Sequence, residues 1–183
     1  MKAFDAWLED LADRALPGGV AAAAVAAAIG AALVMKVAQT TLRRRSLPAP
    51  DRRQMQDLVD LVPESRQELL HLAEADEQAY RRVLQTRNLS AGVAERRQAW
   101  RGATEVPLRV AEACQALLLR MDRLSDTCWP AVVTDLRVGR RLLAAGLESG
   151  LEAAEENLRA WGVDPDALPL RARLDRLREE RVP

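Results

Sequence analysis

Aromatic, histidine and lysine residues are scarce in this chain of 183 residues. Four Trp, one Tyr and one Phe do not provide the stacking surfaces on which single-strand nucleic-acid binders hold bases. The 27 basic and 27 acidic residues cancel at pH 7, so no global field attracts a polyanion. We therefore expect no nucleic-acid partner.

Metal-ligating and nucleophilic side chains are equally few. His71 is the sole histidine, which excludes a multi-histidine metal site and leaves one base for any serine or cysteine triad. Cys114 and Cys128 have neither zinc spacing nor a disulfide framework. We expect no metal and a reduced, cytoplasmic setting, with His71 on a helix flank. If the protein is an enzyme, its chemistry is expected to depend on carboxylates.

A nearly uncharged, alanine-rich segment occupies residues 16–42. It opens with Pro17, Gly18 and Gly19, and no residue carries a charge from Pro17 to Met35. Alanine removes little apolar surface from water, but it lets neighbouring backbones come close. The segment predicts a central helix that is entered through a glycine turn, and such a turn could also hold an anion.

A membrane span is the alternative for this segment, because about twenty apolar residues can cross a bilayer. Lys36 and Gln39 fall in its last turns, and Arg43–Arg45 follow directly. Acidic residues precede it within 5–13, where a secretory signal carries basic ones. These charges favour a buried helix, and we expect no membrane partner.

Helical periodicity continues through the rest of the chain, without an alternating strand pattern. Pro63 is expected to kink or restart the long helix after Asp51, and Pro107 is expected to bend the next one. The sequence predicts one all-α domain over residues 1–183, an up-and-down bundle of about five long helices around the alanine-rich helix. After the first short helix and the alanine-rich one, the predicted helices cover about 51–87, 93–124 and 131–161, followed by an amphipathic tail at 168–181.

Several short motifs occur in order along the chain: Pro17-Gly18-Gly19, Gly30-Ala31-Ala32-Leu33, Val37-Ala38 with Thr41, Asp76 with Ala79-Tyr80, Pro107 with Val110-Ala111, Thr134-Asp135-Leu136, and Asn157-Leu158. With these motifs the chain resembles the cyclodeaminase domain of formiminotransferase-cyclodeaminase and the related bacterial methenyltetrahydrofolate cyclohydrolases. The resemblance implies a helical bundle that pairs into a homodimer through the bundle, with a small-molecule folate near the subunit contact. It also implies an enzyme whose substrate is a tetrahydrofolate derivative, without a tightly bound cofactor.

The resemblance assigns candidate roles to five residues. Asp76 matches the family's acidic position and is the candidate catalytic residue, whereas Gly18, Gly19, Asp135 and Asn157 are candidates for substrate binding. A carboxylate can move protons at an amidine carbon and attract a cationic ligand.

Purely structural roles remain open for the same residues. Asp76 could instead pair with Arg81 or Arg82 on a solvated flank, and the two glycines could form a plain link. Asp135 could orient an arginine or cap the last long helix. Arg43–Arg45 could hold a folate glutamate tail or end a helix in solvent.

Four positions depart from the family pattern. Val20 and Ala21 stand where the family has Gly and Ser, Ala91 stands where it often has Lys, and Ala153 replaces an Asn. A small residue and a hydroxyl at a helix start both help to bind an anion. These losses favour a second interpretation, in which the bundle has lost catalysis and acts as a ligand-binding or protein-interaction module.

Overall fold

The structure, a computed structural model, describes residues 2–86, 91–121 and 124–180. Within these ranges the chain is helical and contains no strand, which confirms the all-α prediction. The helices are α1 (Lys2–Asp13), α2 (Gly19–Leu42), α3 (Ala49–Thr86), α4 (Val93–Arg120), α5 (Leu124–Thr127), α6 (Val133–Trp161) and α7 (Leu168–Glu179), with short 3-10 turns at Pro130–Val132 and Pro165–Ala167.

Four long helices, α2, α3, α4 and α6, form an up-and-down bundle. Each packs along two of the others, in the ring order α2, α3, α4, α6. The alternating directions follow from paired positions. Glu68 of α3 meets Arg109 of α4, whereas Thr86 at the end of α3 lies beside Ala99 near the start of α4. The glycine contacts of α6 run backwards along α2. Short connections between consecutive helices favour this antiparallel arrangement.

The alanine-rich helix α2 lies against both α3 and α6, and its closest approach is to α6. A Cβ atom added to Gly30 would lie 2.8 Å from the carbonyl oxygen of Gly139, and one added to Gly139 would lie 2.9 Å from that of Gly30. Gly146 lies as tightly against Ala27 and Cys114. The small residues of α2 therefore act as predicted, by allowing backbones to meet.

Helix α2 is long and apolar enough to cross a membrane by length and composition alone, and 44% of its apolar window is buried within the bundle. The core helix of a soluble protein passes the same test. Its buried residues include Ala24, Ala27, Ala31 and Val34, which line the bundle interior.

The prolines inside the long helices do not end them. Helix α3 runs for 38 residues through Pro63, and α4 runs for 28 residues through Pro107, so the restart considered at Pro63 is wrong. A proline removes one internal hydrogen bond, and the packing of α3 along α2 and α4 outweighs that loss. The next boundaries also shift, since α4 ends at Arg120 and α6 begins at Val133.

The two terminal helices differ in how they attach. Helix α7 is held to α4 by Arg173, whose guanidinium pairs with Glu112 and with Glu105 at 2.5 Å. Helix α1 makes no more than marginal contact with the other described elements. Its Phe4 and Leu8 are 40% and 42% exposed, so α1 contributes little to the core.

Candidate active site

The site is built around the glycine corner that leads into α2. Gly18 is the N-cap residue of α2, with extended backbone (φ −106°, ψ −170°) and no side chain to accept a capping hydrogen bond. Its carbonyl accepts from the N–H of Ala22 at 3.1 Å. The N–H groups of the first turn, from Gly19 to Ala21, have no acceptor within the helix and are open to an outside one.

Asp76 of α3 lies against this corner. Its Oδ2 is 3.9 Å from the position that a Cβ atom of Gly18 would occupy, and its carboxylate accepts a hydrogen bond from the backbone N–H of Ala21. Helix periodicity directs it there, because Leu72, Ala73 and Val83 of the same stripe are buried. The carboxylate of Asp76, from another helix, thus accepts the hydrogen bond that an N-cap side chain would otherwise accept.

Burial raises the pKa of Asp76 from 3.8 to about 6. The hydrogen bond from Ala21 opposes this rise, and the negative charge of Glu77 adds to it. Removal from water outweighs the hydrogen bond, because a desolvated carboxylate is disfavoured. A carboxyl group with such a pKa exchanges protons readily near neutral pH, as a general acid or base must.

The alternative in which Asp76 pairs with a neighbouring arginine does not match the geometry. Arg81 pairs with Glu77 one turn below it, and no ion pair involves Asp76 among the residues that the structure describes. The residue is half-buried rather than on a solvated flank. Unpaired partial burial of a carboxyl group is costly and is frequent at functional sites.

The structure brings Asp76, Gly18 and Gly19 together but holds Asp135 elsewhere. The carboxylate of Asp135 pairs with the ammonium of Lys36 at 2.7 Å. Lys36 lies about 25 Å along the axis of α2 from Gly19, at 1.5 Å per residue. Asp135 therefore connects α6 to the far end of α2.

Asn157 ties α6 to α4. Its Nδ2 donates to the carbonyl oxygen of Ala103 at 2.7 Å, and the residue is half-buried. This hydrogen bond is a structural use of the side chain, and a role of Asn157 in substrate binding stays a prediction.

The departures from the family pattern are visible at the corner. Ala21 is 1% exposed, and Val20 is half-buried against the core. Asp76 therefore meets a backbone N–H at position 21 and no hydroxyl. Ala91 and Ala153 are half-buried, whereas Leu89 and Ser90 lie outside the described residues.

A separate cleft of about 580 Å³ runs along α3 and α4, lined by Glu64, Glu68 and His71 among others, and Asp76 does not line it. His71 is exposed there, as expected for a helix flank. Over residues 2–86, 91–121 and 124–180, no cluster of three His, Cys, Asp or Glu side chains is arranged to hold a metal ion.

Sequence reasoning missed two groups of the site, the N–H of Ala21 and the carboxylate of Glu77. The first had a usable signal, because the early N–H groups of every helix lack internal partners. The second is simply adjacent to Asp76 in the chain. Neither can be assigned to the site until the pairing of α3 with the start of α2 is known.

These features define a class: an antiparallel helical-bundle domain in which a half-buried carboxyl group faces a glycine-initiated helix. Residues 3–167 match the family model described as formiminotransferase-cyclodeaminase. The chain belongs to the formiminotransferase-cyclodeaminase family.

Curated relatives agree with that assignment, and a solved structure has the same fold. The chain is 31% identical over 144 residues to the formimidoyltransferase-cyclodeaminases of Mus musculus and Rattus norvegicus. The match covers 74% of this chain and 26% of each relative, so the chain spans about a quarter of their length. The crystal structure of formiminotetrahydrofolate cyclodeaminase from Thermotoga maritima superposes with a TM-score of 0.86 at 21% identity, covering 95% of this chain and 87% of that one. At this identity the likeness shows the shared fold.

Proposed function

We propose that this protein is an enzyme of folate one-carbon metabolism, of the formiminotetrahydrofolate cyclodeaminase type. The observation that carries the proposal is the placement of Asp76, with a pKa of about 6, against the open helix start at Gly18 and Gly19. The family supports the substrate class, and the mouse and rat relatives are named for this reaction.

In the proposed reaction Asp76 carries one proton between two nitrogens. The attacking folate nitrogen adds to the carbon of the protonated, cationic formimino group and gives a tetrahedral centre with a neutral amino group, and the carboxylate of Asp76 takes the proton from the attacking nitrogen. The resulting carboxylic acid then protonates the amino group, the carbon–nitrogen bond breaks, and ammonia leaves with the methenyl product. The carboxylate is regenerated, so one group serves as base and then as acid.

The glycine corner supplies binding rather than proton transfer. The N–H groups at the start of α2 carry the positive end of the helix dipole, and a carboxylate or a pterin carbonyl is a suitable acceptor for them. Gly19 is exposed, and among the residues that the structure describes an added Cβ would meet nothing within 4 Å. The corner is therefore open to a ligand, and the bound species is a tetrahydrofolate derivative.

Hydrolysis of methenyltetrahydrofolate is the second reaction within the proposal. Water would replace the attacking nitrogen at the methenyl carbon, and Asp76 would take a proton from that water. The same proton would go to the leaving ring nitrogen, and the remaining hydroxyl proton would be released to solvent as the formyl carbonyl forms, giving formyltetrahydrofolate. Product analysis separates the two reactions, because only the first releases ammonia.

A homodimer is part of the proposed function. Less than half of the apolar window of α2 is buried within one subunit, 44%, and Ile29 on its outer face is 47% exposed. An apolar face of this kind marks an interaction site, and a second copy would cover it. Sedimentation velocity without detergent tests the dimer directly.

A catalytically silent binding module is the alternative, and Val20 and Ala21 favour it because they leave Asp76 without a neighbouring hydroxyl. Such a module would bind a folate at the corner, or hold a protein partner, without turnover.

The deciding experiment follows formiminotetrahydrofolate through the near-ultraviolet absorbance of the methenyl product and through released ammonia. We expect turnover by the wild type and a loss of at least about 100-fold in Asp76→Asn, the scale of general acid–base catalysis. Glu74→Gln is the matched control, an exposed carboxylate on the same helix, and it should retain activity. Wild-type protein that releases no ammonia and leaves methenyltetrahydrofolate unhydrolysed, yet binds folate, would establish the silent module instead.

A further inference from the structure

A seam of regularly spaced residues follows the outer face of α2. Its members lie alternately three and four positions apart, and all are exposed or half-buried. This is the spacing with which a helix presents one edge to a partner helix. Helix α1 makes no more than marginal contact with the other described elements, so it does not cover the seam. The members are Gly19, Ala22, Ala26, Ile29, Leu33 and Lys36.

The seam changes in side-chain size along its length. Its first half holds the small residues Gly19, Ala22 and Ala26, and its second half holds long ones. Two seams packed in parallel would set small on small and large on large, leaving voids at one end and crowding at the other. Antiparallel packing sets each small residue opposite a large one, which meets the close packing of protein interiors.

The two ends of the seam also differ in charge, and this difference favours the same antiparallel orientation. Beyond its last apolar residue come Lys36 and Arg43–Arg45, all exposed. At the other end lie Asp76 and helix α1, which carries several acidic residues. Antiparallel packing brings the basic end of one copy to the acidic end of the other, whereas parallel packing opposes like charges.

We propose that two copies pack α2 against α2 in antiparallel orientation and that each copy completes the other's site with a lysine. The register that pairs small with large residues sets Ala26 opposite Ile29 of the partner subunit and Gly19 opposite Lys36 of the partner subunit. That lysine then lies at the glycine corner, beside Asp76, and offers an ammonium group to an anionic part of the substrate. The proposal rests on the dimer and on the site proposed above.

Asp135 gains a role in this arrangement. Within one subunit it lies far from Asp76 but holds Lys36 at 2.7 Å. In the dimer the pair arrives together at the neighbouring corner, with Asp135 fixing the direction of the lysine side chain. Asp135 is thus a positioning residue, which accounts for its distance from Asp76 along a single chain.

Cysteine cross-linking tests the orientation without depending on catalysis. Gly19→Cys and Lys36→Cys are mild changes, because the added Cβ at Gly19 meets no described residue within 4 Å and Lys36 is exposed. Under mild oxidation, a mixture of the two variants is expected to form cross-linked dimers, whereas each variant alone is not. Along one helix the two positions are about 25 Å apart, too far for a disulfide between like positions. The wild type is the control, since Cys114 and Cys128 are buried.

Subunit complementation tests the shared site. Asp76→Asn and Lys36→Gln are expected to be impaired when measured separately, with Lys36→Gln changing KM more than kcat. After equal amounts are dissociated and reassociated, half of the dimers carry one intact site, so about a quarter of wild-type activity should return. Asp135→Asn should raise KM in the same direction as Lys36→Gln but less.

Each outcome of these tests either supports the proposed pairing or overturns it. Cross-linking by either variant alone means parallel packing and overturns the proposal. Absence of any cross-link, a monomer in sedimentation, or association of α2 with phospholipid vesicles overturns it as well. Mixed cross-links in a protein without turnover would support the antiparallel pairing while the proposed reaction fails, and the two failures are thereby distinguished.

Discussion

The carboxylate of Asp76 on α3 accepts a hydrogen bond from the N–H of Ala21 in the first turn of α2. This contact gives a helix start the acceptor that its own N-cap, Gly18, lacks. It also holds a proton-exchanging group at an open corner of the bundle. The same side chain therefore caps a helix and can exchange a proton near neutral pH.

The ionised form of Asp76 should cost stability at neutral pH. Its pKa of about 6 in the folded protein exceeds the ordinary 3.8, so the folded state binds the extra proton between these values. The contribution of Asp76 is present below about pH 4 and is lost as the pH rises through about 6. Asp76→Asn should therefore be more stable than wild type above pH 6, by about 3 kcal/mol, with little difference near pH 4. Urea unfolding of both proteins across this range measures the effect, and a gap that widens toward low pH would contradict it.

A hydroxyl next to Asp76 should lower its pKa. Ala21 is buried beside the carboxylate, so the side chain in Ala21→Ser can donate a second hydrogen bond to the ionised form. The acidic limb of the activity profile, and the pH at which Asp76 destabilises the fold, should both move to lower pH. Ala32→Ser, at a half-buried position further along α2 and outside the seam, is the control and should leave both unchanged.

Adding one methyl group at the crossing of α2 and α6 should destabilise the bundle. In Gly30→Ala the new Cβ would lie 2.8 Å from the carbonyl oxygen of Gly139 and 2.9 Å from Cβ of Leu142, and such overpacking costs about 1–3 kcal/mol. Gly102→Ala in α4 is the matched control, because its Cβ meets nothing within 4 Å in the described part of the chain. That control should gain about 0.5–1 kcal/mol from helix propensity. In thermal unfolding, the melting temperature should fall in Gly30→Ala and rise in Gly102→Ala. A melting temperature of Gly30→Ala that does not fall would contradict the tight crossing.

The two cysteines should resist thiol reagents in the native protein. Burial raises the pKa of Cys114 to about 12 and also raises that of Cys128, so little reactive thiolate forms near neutral pH. We expect labelling by a disulfide reagent to be slow until urea unfolds the chain, and then to reach both thiols. Rapid labelling of either residue in buffer would show that the bundle opens locally.

Much of the fold follows from local patterns that the sequence displays openly. The stripe containing Leu72, Ala73 and Asp76 directs the carboxyl group inward by periodicity alone, and the glycine corner is visible as a turn before a helix. Helix continuity through Pro63 was not predictable, because it depends on tertiary packing that outweighs one lost hydrogen bond. The local sequence shows the proline but not the neighbouring helices that pack against it.

The site was less accessible to prediction than the fold. Asp76 could be chosen from its motif and its unfavourable apolar surroundings, but its partner is the backbone N–H of Ala21, and packing decides which side chain this helix-start group meets. Asp135 was chosen from a motif as well, and only the structure shows that its carboxylate pairs with Lys36. Pairings between distant segments are set by packing, and they decide which of the candidate residues meet.

The contact between Gly30 and Gly139 has a mechanical consequence. The two backbones approach closely there, and Gly146 lies as close to Ala27 one turn nearer the glycine corner, so α2 is held against α6 at two successive points. The glycine corner lies roughly 17 Å from the Gly30 contact along α2, at 1.5 Å per residue. Because two contacts oppose rotation of α2 at this crossing, the packing of the bundle fixes how far the Ala21 amide stands from the carboxyl group of Asp76.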